Sequence, residues 1–162
     1  SPLHAAIERR QLDVVQLLLD HGAAVDGTAE VRTPLIVAVE QGDLAAVRLL
    51  VDRGADMNAR RYGGRTAMLI ACEKSGDGEA AAILRLLLDR GADVGGADSN
   101  GETTLHRAVA SGQPHDVILR LLQHGAEVNH RDICGRTPLG CALKWGCPKE
   151  VVVALRSHGG KE

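Results

Sequence analysis

Residues 33–58 read TPLIVAVEQGDLAAVRLLVDRGADMN. Two short apolar stripes in this stretch are separated by the polar turn Gly42-Asp43, and apolar residues at such spacing predict two helices joined by a turn. Thr33 is suited to cap the first helix, and Pro34 fits its first position, where a missing N–H costs nothing. Gly54 is suited to end the second helix. The stretch therefore predicts a helix, a turn and a second helix.

The same pattern recurs along the whole chain at steps of 32, 33, 37 and 34 residues. Its starts are Ser1-Pro2-Leu3, Thr33-Pro34-Leu35, Thr66-Ala67-Met68, Thr103-Thr104-Leu105 and Thr137-Pro138-Leu139, and its ends are Gly22-Ala23, Gly54-Ala55, Gly91-Ala92, Gly125-Ala126 and Gly159-Gly160. A period of this size is typical of repeat proteins that stack one helical unit on the next. About five helix-turn-helix units are predicted.

The units resemble ankyrin repeats, whose pattern runs Asp-x-x-Gly-x-Thr-Pro-Leu-His, then two small residues, then Leu-Leu-Leu and Gly-Ala-Asp-Val-Asn. Matching residues include 54–58, 100–106 and 132–139, and the resemblance covers essentially the whole chain. It implies an all-α ankyrin-repeat solenoid with projecting β-hairpin loops and a concave surface formed by the hairpins and the first helices. We expect one domain over residues 1–162, with repeats at about 1–25, 26–58, 59–95, 96–129 and 130–162.

Three departures from the repeat pattern add expectations. The first unit lacks a preceding hairpin and has an apolar second helix, which predicts a fragment of a longer protein with further repeats upstream. In the fifth unit Arg156 stands where other units have an apolar residue, which predicts the natural end of the array. The third unit has about four extra residues near Ser75 to Glu79, either a tolerated surface insertion or a partner contact.

Composition narrows the class of protein. The chain of 162 residues has a net charge of -2, 44% hydrophobic and 25% charged residues, which suits one globular unit. Its apolar runs are far shorter than the roughly 20 residues of a membrane span, and no signal peptide is evident. We therefore expect an intracellular protein, cytoplasmic or nuclear, with no membrane span. A net acidic chain also lacks the broad basic surface of a nucleic-acid binder.

The absence of Phe predicts a thin aliphatic core.

No residue pattern indicates catalysis. Nucleophile-base constellations and the phosphate-binding glycine loop are missing, so we expect no enzyme, no catalytic residue, no cofactor and no small-molecule substrate. Cys134, Cys141, Cys147 and His130 are zinc-ligand types, but no Cys-x-x-Cys pair exists, and we expect no metal site and reduced cysteines.

The histidines have structural interpretations. The resemblance implies that His4 and His106 brace neighbouring loops by hydrogen bonds. His21, His124 and His158 precede glycines at the ends of second helices, where they are expected to cap the helix.

The concave surface holds the only Tyr and the only Trp of the chain, together with several basic residues. Because Tyr, Trp and Arg are enriched in binding hot spots, we expect a locally basic site that binds a protein or extended peptide with acidic groups. Its candidate residues are Arg32, Arg60, Tyr62, Arg65, Lys74, Arg107, Arg136, Lys144 and Trp145. The alternative is an ordinary solvated surface in which Trp145 covers the last helix pair.

Two functions remain open at this point. The first is a non-catalytic scaffold, monomeric, that binds a partner on its concave face. The second is a regulatory segment of a larger enzyme, transporter or channel that contacts other parts of the same protein.

Overall fold

The computed structural model describes residues 1–27, 32–60, 63–74 and 78–162, and ten α-helices lie within these ranges. In chain order they are α1 (Pro2–Glu8), α2 (Leu12–Asp20), α3 (Pro34–Gln41), α4 (Leu44–Asp52), α5 (Ala67–Glu73), α6 (Gly78–Asp89), α7 (Thr104–Ala110), α8 (His115–Gln123), α9 (Pro138–Lys144) and α10 (Lys149–Ser157). Each odd-numbered helix packs on the even-numbered helix that follows it. Odd helices also stack on odd helices and even on even, which confirms the all-α repeat solenoid.

Each first helix begins at the hydroxyl residue that the sequence pattern marks. The side-chain oxygens of Ser1, Thr33, Thr66, Thr103 and Thr137 accept the backbone N–H three residues later. Among the second helices for which a cap residue is given, only α4 has a side-chain cap, from Asp43. Helices this short are marginal alone, so packing must supply most of their stability.

The buried hydrophobic residues of the described ranges include no Phe, Tyr or Trp, as the composition predicts. The hydrophobic core runs without a break from Leu3 to Leu155 through fully buried residues such as Leu50, Leu87 and Leu105. Burial of each such side chain contributes about 1.5–3 kcal/mol. In the part of the chain that the structure describes, no helix is both long and apolar enough to cross a bilayer.

Side chains from one repeat satisfy the helix-end carbonyls of the repeat before it. Nε2 of Gln41 donates to the carbonyl of Glu8 at 3.1 Å, and Nε2 of Gln113 donates to that of Lys74 at 2.7 Å. The hydroxyl of Ser111 donates to the carbonyl of Cys72. Because the last carbonyls of a helix lack partners within it, these bonds join consecutive repeats.

The histidines take the two roles expected of them. Nε2 of His4 donates to the carbonyl of Arg32 at 2.6 Å, and Nε2 of His106 donates to that of Arg136 at 3.0 Å. Each bond ties a first helix to the loop that enters the next repeat. Nδ1 of His21, His124 and His158 lies 2.8 Å from the carbonyl four residues earlier, and so caps the end of a second helix.

Candidate partner-binding surface

Among the described residues, the only β-bridge is an isolated antiparallel one between Ala97 and Thr103, in the loop before α7. Two aspartates shape the loops that precede α7 and α9. Oδ1 of Asp98 accepts the backbone N–H groups of Asn100 and Glu102, at 2.8 and 3.0 Å. Oδ1 of Asp132 accepts those of Cys134 and Arg136, both at 2.9 Å. These bonds hold each aspartate against the backbone of its own loop.

In the second and third repeats, the residue before the N-cap of the first helix pairs with the seventh residue after that N-cap. We call the residues at these two positions of a repeat a rung. The second-repeat rung is an ion pair between Arg32 and Glu40, with 2.9 Å between Nη2 and Oε2. In the third repeat Arg65 pairs with Glu73 in the same way. These two rungs are closed by opposite charges of the chain itself.

The fourth-repeat rung has the opposite charge at its first position and no charge at its second, because it consists of Glu102 and Ala110. Glu102 pairs instead with Nη2 of Arg107 at 2.7 Å. The same nitrogen lies 2.7 Å from Asp98, and Nη1 of Arg107 lies 3.6 Å from Glu73. Arg107 is therefore surrounded by three carboxylates and links the third and fourth repeats.

The fifth-repeat rung consists of two cations, Arg136 and Lys144, beside Trp145. Arg136 pairs with Asp132 at 2.6 Å and lies 3.9 Å from Glu102. Its Cζ lies 5.7 Å from the Trp145 ring centroid, and Nζ of Lys144 lies 5.9 Å from the same centroid. Among the described residues, Lys144 has no ion-pair partner. Trp145 is 45% exposed, so the cluster is open to solvent.

The two buried aspartates stay ionised well below neutral pH. Burial alone would raise the pKa of Asp98, but its bonds from Arg107 and from backbone N–H groups outweigh this effect and lower the pKa. Asp132 follows the same rule: burial opposes ionisation, and the bonds from Arg136 and the backbone hold its pKa below the ordinary value. Both carboxylates therefore count as negative charges of the surface.

The structure brings some of the predicted site residues together and separates others. Arg65, Arg107 and Arg136 belong to one network, connected through Glu73 and Glu102. Arg32 lies apart from this network, in the second-repeat rung. Arg60 is exposed and donates to the carbonyls of Gly64 and Ala97. Lys74 directly follows α5. Tyr62 lies outside the described residues, as do residues 75–77 of the third-repeat insertion.

Sequence reasoning missed the part that the carboxylates play. The surface is not uniformly basic, because acidic side chains lie among its arginines and pair with them; these are Glu40, Glu73, Asp98, Glu102 and Asp132. The available signal is the recurrent Arg-to-Glu spacing of eight residues in the second and third repeats. This spacing indicates which arginines are already paired within the chain. A cation without such a carboxylate is therefore a better candidate for binding a partner than an arginine that has one.

Other apolar side chains of the fifth repeat are also exposed. Ile133, in the loop before α9, is 73% exposed, and Leu143, near the end of α9, is 41% exposed. Like Trp145, they are exposed apolar side chains of this repeat. Such a mixture of aromatic, aliphatic and cationic groups is typical of protein-binding sites.

The cysteines are dispersed rather than clustered. Cys72 and Cys141 are buried, Cys147 is partly buried and Cys134 is exposed. Burial raises the pKa of the Cys72, Cys141 and Cys147 thiols, which disfavours the reactive thiolate. Across the described ranges, no group of three or more His, Cys, Asp or Glu side chains is arranged to hold a metal ion.

Comparison with protein families agrees with the observed architecture. A family model described as ankyrin repeats (3 copies) matches residues 1–61 and 59–132, and one described as ankyrin repeats (many copies) matches residues 113–156. Comparison with curated proteins gave no match. Ankyrin repeats are generally protein-protein interaction modules and are typically non-catalytic. Given these matches and the stacked helix pairs, the chain belongs to the ankyrin repeat family.

Proposed function

We propose that this chain is a non-catalytic scaffold that binds a partner protein or extended peptide on its concave surface. The observation that carries the proposal is the exposed Trp145, with the cations Arg136 and Lys144 at 5.7 and 5.9 Å from its ring centroid. Exposed tryptophan beside arginine is the composition of a binding hot spot. The core of the chain needs no aromatic side chain, so this tryptophan is not part of the packing scheme that builds the fold.

The proposed contact surface extends over several repeats. Its residues are Arg32, Arg60, Tyr62, Arg65, Lys74, Arg107, Arg136, Lys144 and Trp145. Because several of the arginines already pair with carboxylates of the chain, acidic groups of a partner compete with those carboxylates there. The ion pairs within the chain therefore fix the shape of the surface. Cations without a carboxylate partner attract the acidic groups of the binding partner.

The proposal has further parts. We infer that the chain acts as a monomer inside the cell, without catalytic residues, metal or cofactor. It forms one domain, with repeats at about residues 1–25, 26–58, 59–95, 96–129 and 130–162. Each repeat contributes one first helix to the concave surface, so the partner makes contact with consecutive repeats.

Site-specific photo-crosslinking tests this function. Benzoylphenylalanine replaces Arg9 or Lys74, which occupy the same position of the concave surface, directly after the first helix, in the first and third repeats. Matched control positions are Arg48 and Val153, which are exposed on the second helices α4 and α10. The chain is irradiated in cell extract, and each crosslinked protein is confirmed with purified components. We expect crosslinks from the concave positions. Crosslinks from the control positions alone would place recognition on the other side of the array and overturn the proposal.

A further inference from the structure

We propose that the fifth-repeat rung is an open carboxylate site, in which a Glu or Asp side chain of the partner takes the place that Glu40 and Glu73 hold in earlier rungs. The partner's apolar side chain next to that carboxylate packs on Trp145. This inference rests on the proposed function and names the chemistry that the concave surface recognises.

The earlier rungs show what a closed rung contains. An arginine before the N-cap pairs with a glutamate seven residues after it, as Arg32 does with Glu40 and Arg65 with Glu73. The geometry therefore favours a carboxylate beside the last turn of a first helix. The two closed rungs are internal examples of the contact that the fifth repeat lacks.

The fifth repeat keeps the arginine and loses the carboxylate. Arg136 occupies the first position of the rung, and Lys144 replaces glutamate at the second. Oδ2 of Asp132 lies 2.7 Å from Nε and 2.6 Å from Nη2 of Arg136, so these two nitrogens already have an acceptor. Since a guanidinium has five N–H donors, donors remain for a second carboxylate. Lys144 adds an ammonium that has no ion-pair partner among the described residues.

The residue after Lys144 is not required by the fold. At the position of Trp145 the other repeats have Arg9, Gln41, Lys74 and Ser111, all of them polar. In each of the first four repeats, the first helix therefore ends without an aromatic side chain at this position. The indole provides a flat apolar surface beside the open rung, and exposed Ile133 and Leu143 extend the apolar area of the same repeat.

The chemistry of the ligand follows from the two cations and from the apolar surface of the indole. A carboxylate placed between Arg136 and Lys144 is attracted by two cations, and an arginine pairs well with a carboxylate. The neighbouring side chain of the ligand loses apolar surface to water when it packs on Trp145. A peptide segment with glutamate or aspartate next to leucine fits both requirements.

Titration followed by NMR tests the inference directly. Trp145 is the only tryptophan, so its indole N–H gives one assigned resonance without further labelling. The probes are two acetylated and amidated heptapeptides free of tryptophan, one with a central Leu-Glu-Leu and the other with Leu-Gln-Leu. We expect the glutamate peptide to shift the indole resonance saturably and to bind at least tenfold more tightly than the glutamine peptide. Equal affinities would overturn the carboxylate site.

The variant Lys144→Glu closes the rung with the pattern of the second and third repeats. We expect it to lose at least tenfold in affinity for the glutamate peptide while its thermal unfolding midpoint stays the same or rises. Lys149→Glu on the second helix α10 makes the same change of charge in the same repeat, and we expect its affinity to match the unaltered chain. Retained binding by Lys144→Glu, or equal losses in both variants, would overturn the inference.

The crosslinking experiment separates this inference from the proposed function. If Lys144→Glu leaves concave crosslinks from position 9 intact and the peptides fail to discriminate, the open rung is wrong while the concave surface still binds a partner. If no concave position yields a crosslink, the proposed function itself fails.

Discussion

Asp98 and Arg107 form a largely buried ion pair, in which Oδ2 lies 2.7 Å from Nη2 and the Asp98 side chain is 3% exposed. Arg107 also contacts Glu73 and Glu102, so its guanidinium is a junction between repeats. The residue therefore contributes to the stability of the array whether or not a partner also touches it. Removal of its charge leaves a buried carboxylate without its cation.

The variant Arg107→Met measures this contribution. Hydrogen bonds to charged groups contribute about 1.5–3 kcal/mol, and we expect a loss of about 2 kcal/mol in the free energy of unfolding, measured by urea denaturation. Arg120→Met is the matched control, since its partner Asp89 is 59% exposed and an exposed pair contributes less than about 1 kcal/mol. Losses of similar size in the two variants would contradict the structural role of Arg107.

His106 predicts that stability falls in mildly acidic solution. Burial lowers the pKa of His106 below the ordinary 6.5, despite the opposing hydrogen bond to the carbonyl of Arg136. Nδ1 accepts the backbone N–H of Thr103, so protonation at this nitrogen breaks the capping contact. The unfolded chain binds this proton at higher pH than the folded chain does. The free energy of unfolding therefore decreases as pH falls from about 6.5 to the lowered pKa, by at most about 1.4 kcal/mol per pH unit.

Urea denaturation between pH 7.5 and pH 5 checks the sign of this effect. The variant His106→Gln keeps a donor for the Arg136 carbonyl and has no proton to gain in this range. We expect it to be less stable at pH 7.5 but to lose less stability on acidification than the unaltered chain. An identical loss in both proteins would assign the acid sensitivity to other groups.

The helices were predictable because their signals are local. Thr33 and Thr137 cap the helices that follow them, and the glycine at the end of each unit marks where a second helix stops. In the fifth repeat, Arg156 replaces the apolar residue that the other repeats have, and the sequence alone shows this change. Its side chain is 58% exposed. These features depend on residues within a few positions of one another, which is the range that sequence patterns report well.

Helical periodicity does not predict the rungs, because they join residues that no helical spacing brings together. Arg32 and Glu40 are eight positions apart, whereas neighbours on a helix surface are three or four apart. The extended backbone at Thr33, with φ -76° and ψ 156°, separates Arg32 from the axis of α3. Arg107 and Asp98 likewise meet only because the loop before α7 folds back. Charge on the concave surface depends on this folding, so residue counts alone overstated its basic character.

Gly101 predicts close packing between the loops of the fourth and fifth repeats. Its φ is +70°, and a Cβ at this position would lie 3.3 Å from the Cα of Asp132 and from the backbone nitrogen of Ile133. Gly112 has the same φ but no atom within 4 Å of such a Cβ. We expect Gly112→Ala to cost about 1 kcal/mol from backbone strain, and Gly101→Ala to cost roughly 1 kcal/mol more from the added contact. Urea denaturation compares the two.

The Gly101→Ala variant has a second readout. The N–H of Ile133 donates to the carbonyl of Asn100 at 3.0 Å, and a methyl group between the loops disturbs this bond. We expect the amide resonance of Ile133 to move in Gly101→Ala and to stay in place in Gly112→Ala. Equal costs and an unmoved resonance would show that the loops adjust without strain.

Glu102 predicts an exchange between stability and binding. It lies 2.7 Å from Arg107 and 3.9 Å from Arg136, so it neutralises cations of both the fourth and the fifth repeat. In Glu102→Gln the side chain keeps its size and loses its charge. We expect a loss of about 1 kcal/mol in the free energy of unfolding, since the pair with Arg107 is partly exposed.

The same change leaves more uncompensated positive charge near Trp145. If the fifth-repeat rung binds a carboxylate, removal of a competing carboxylate strengthens that binding, so we expect Glu102→Gln to bind the Leu-Glu-Leu peptide a few-fold more tightly. The increase should shrink as salt rises, because exposed charges are screened over about 10 Å at 0.1 M ionic strength. Glu79→Gln, at the start of α6, removes one negative charge elsewhere and should leave the affinity unchanged. Tighter binding in both variants would indicate a general effect of net charge rather than competition for Arg136.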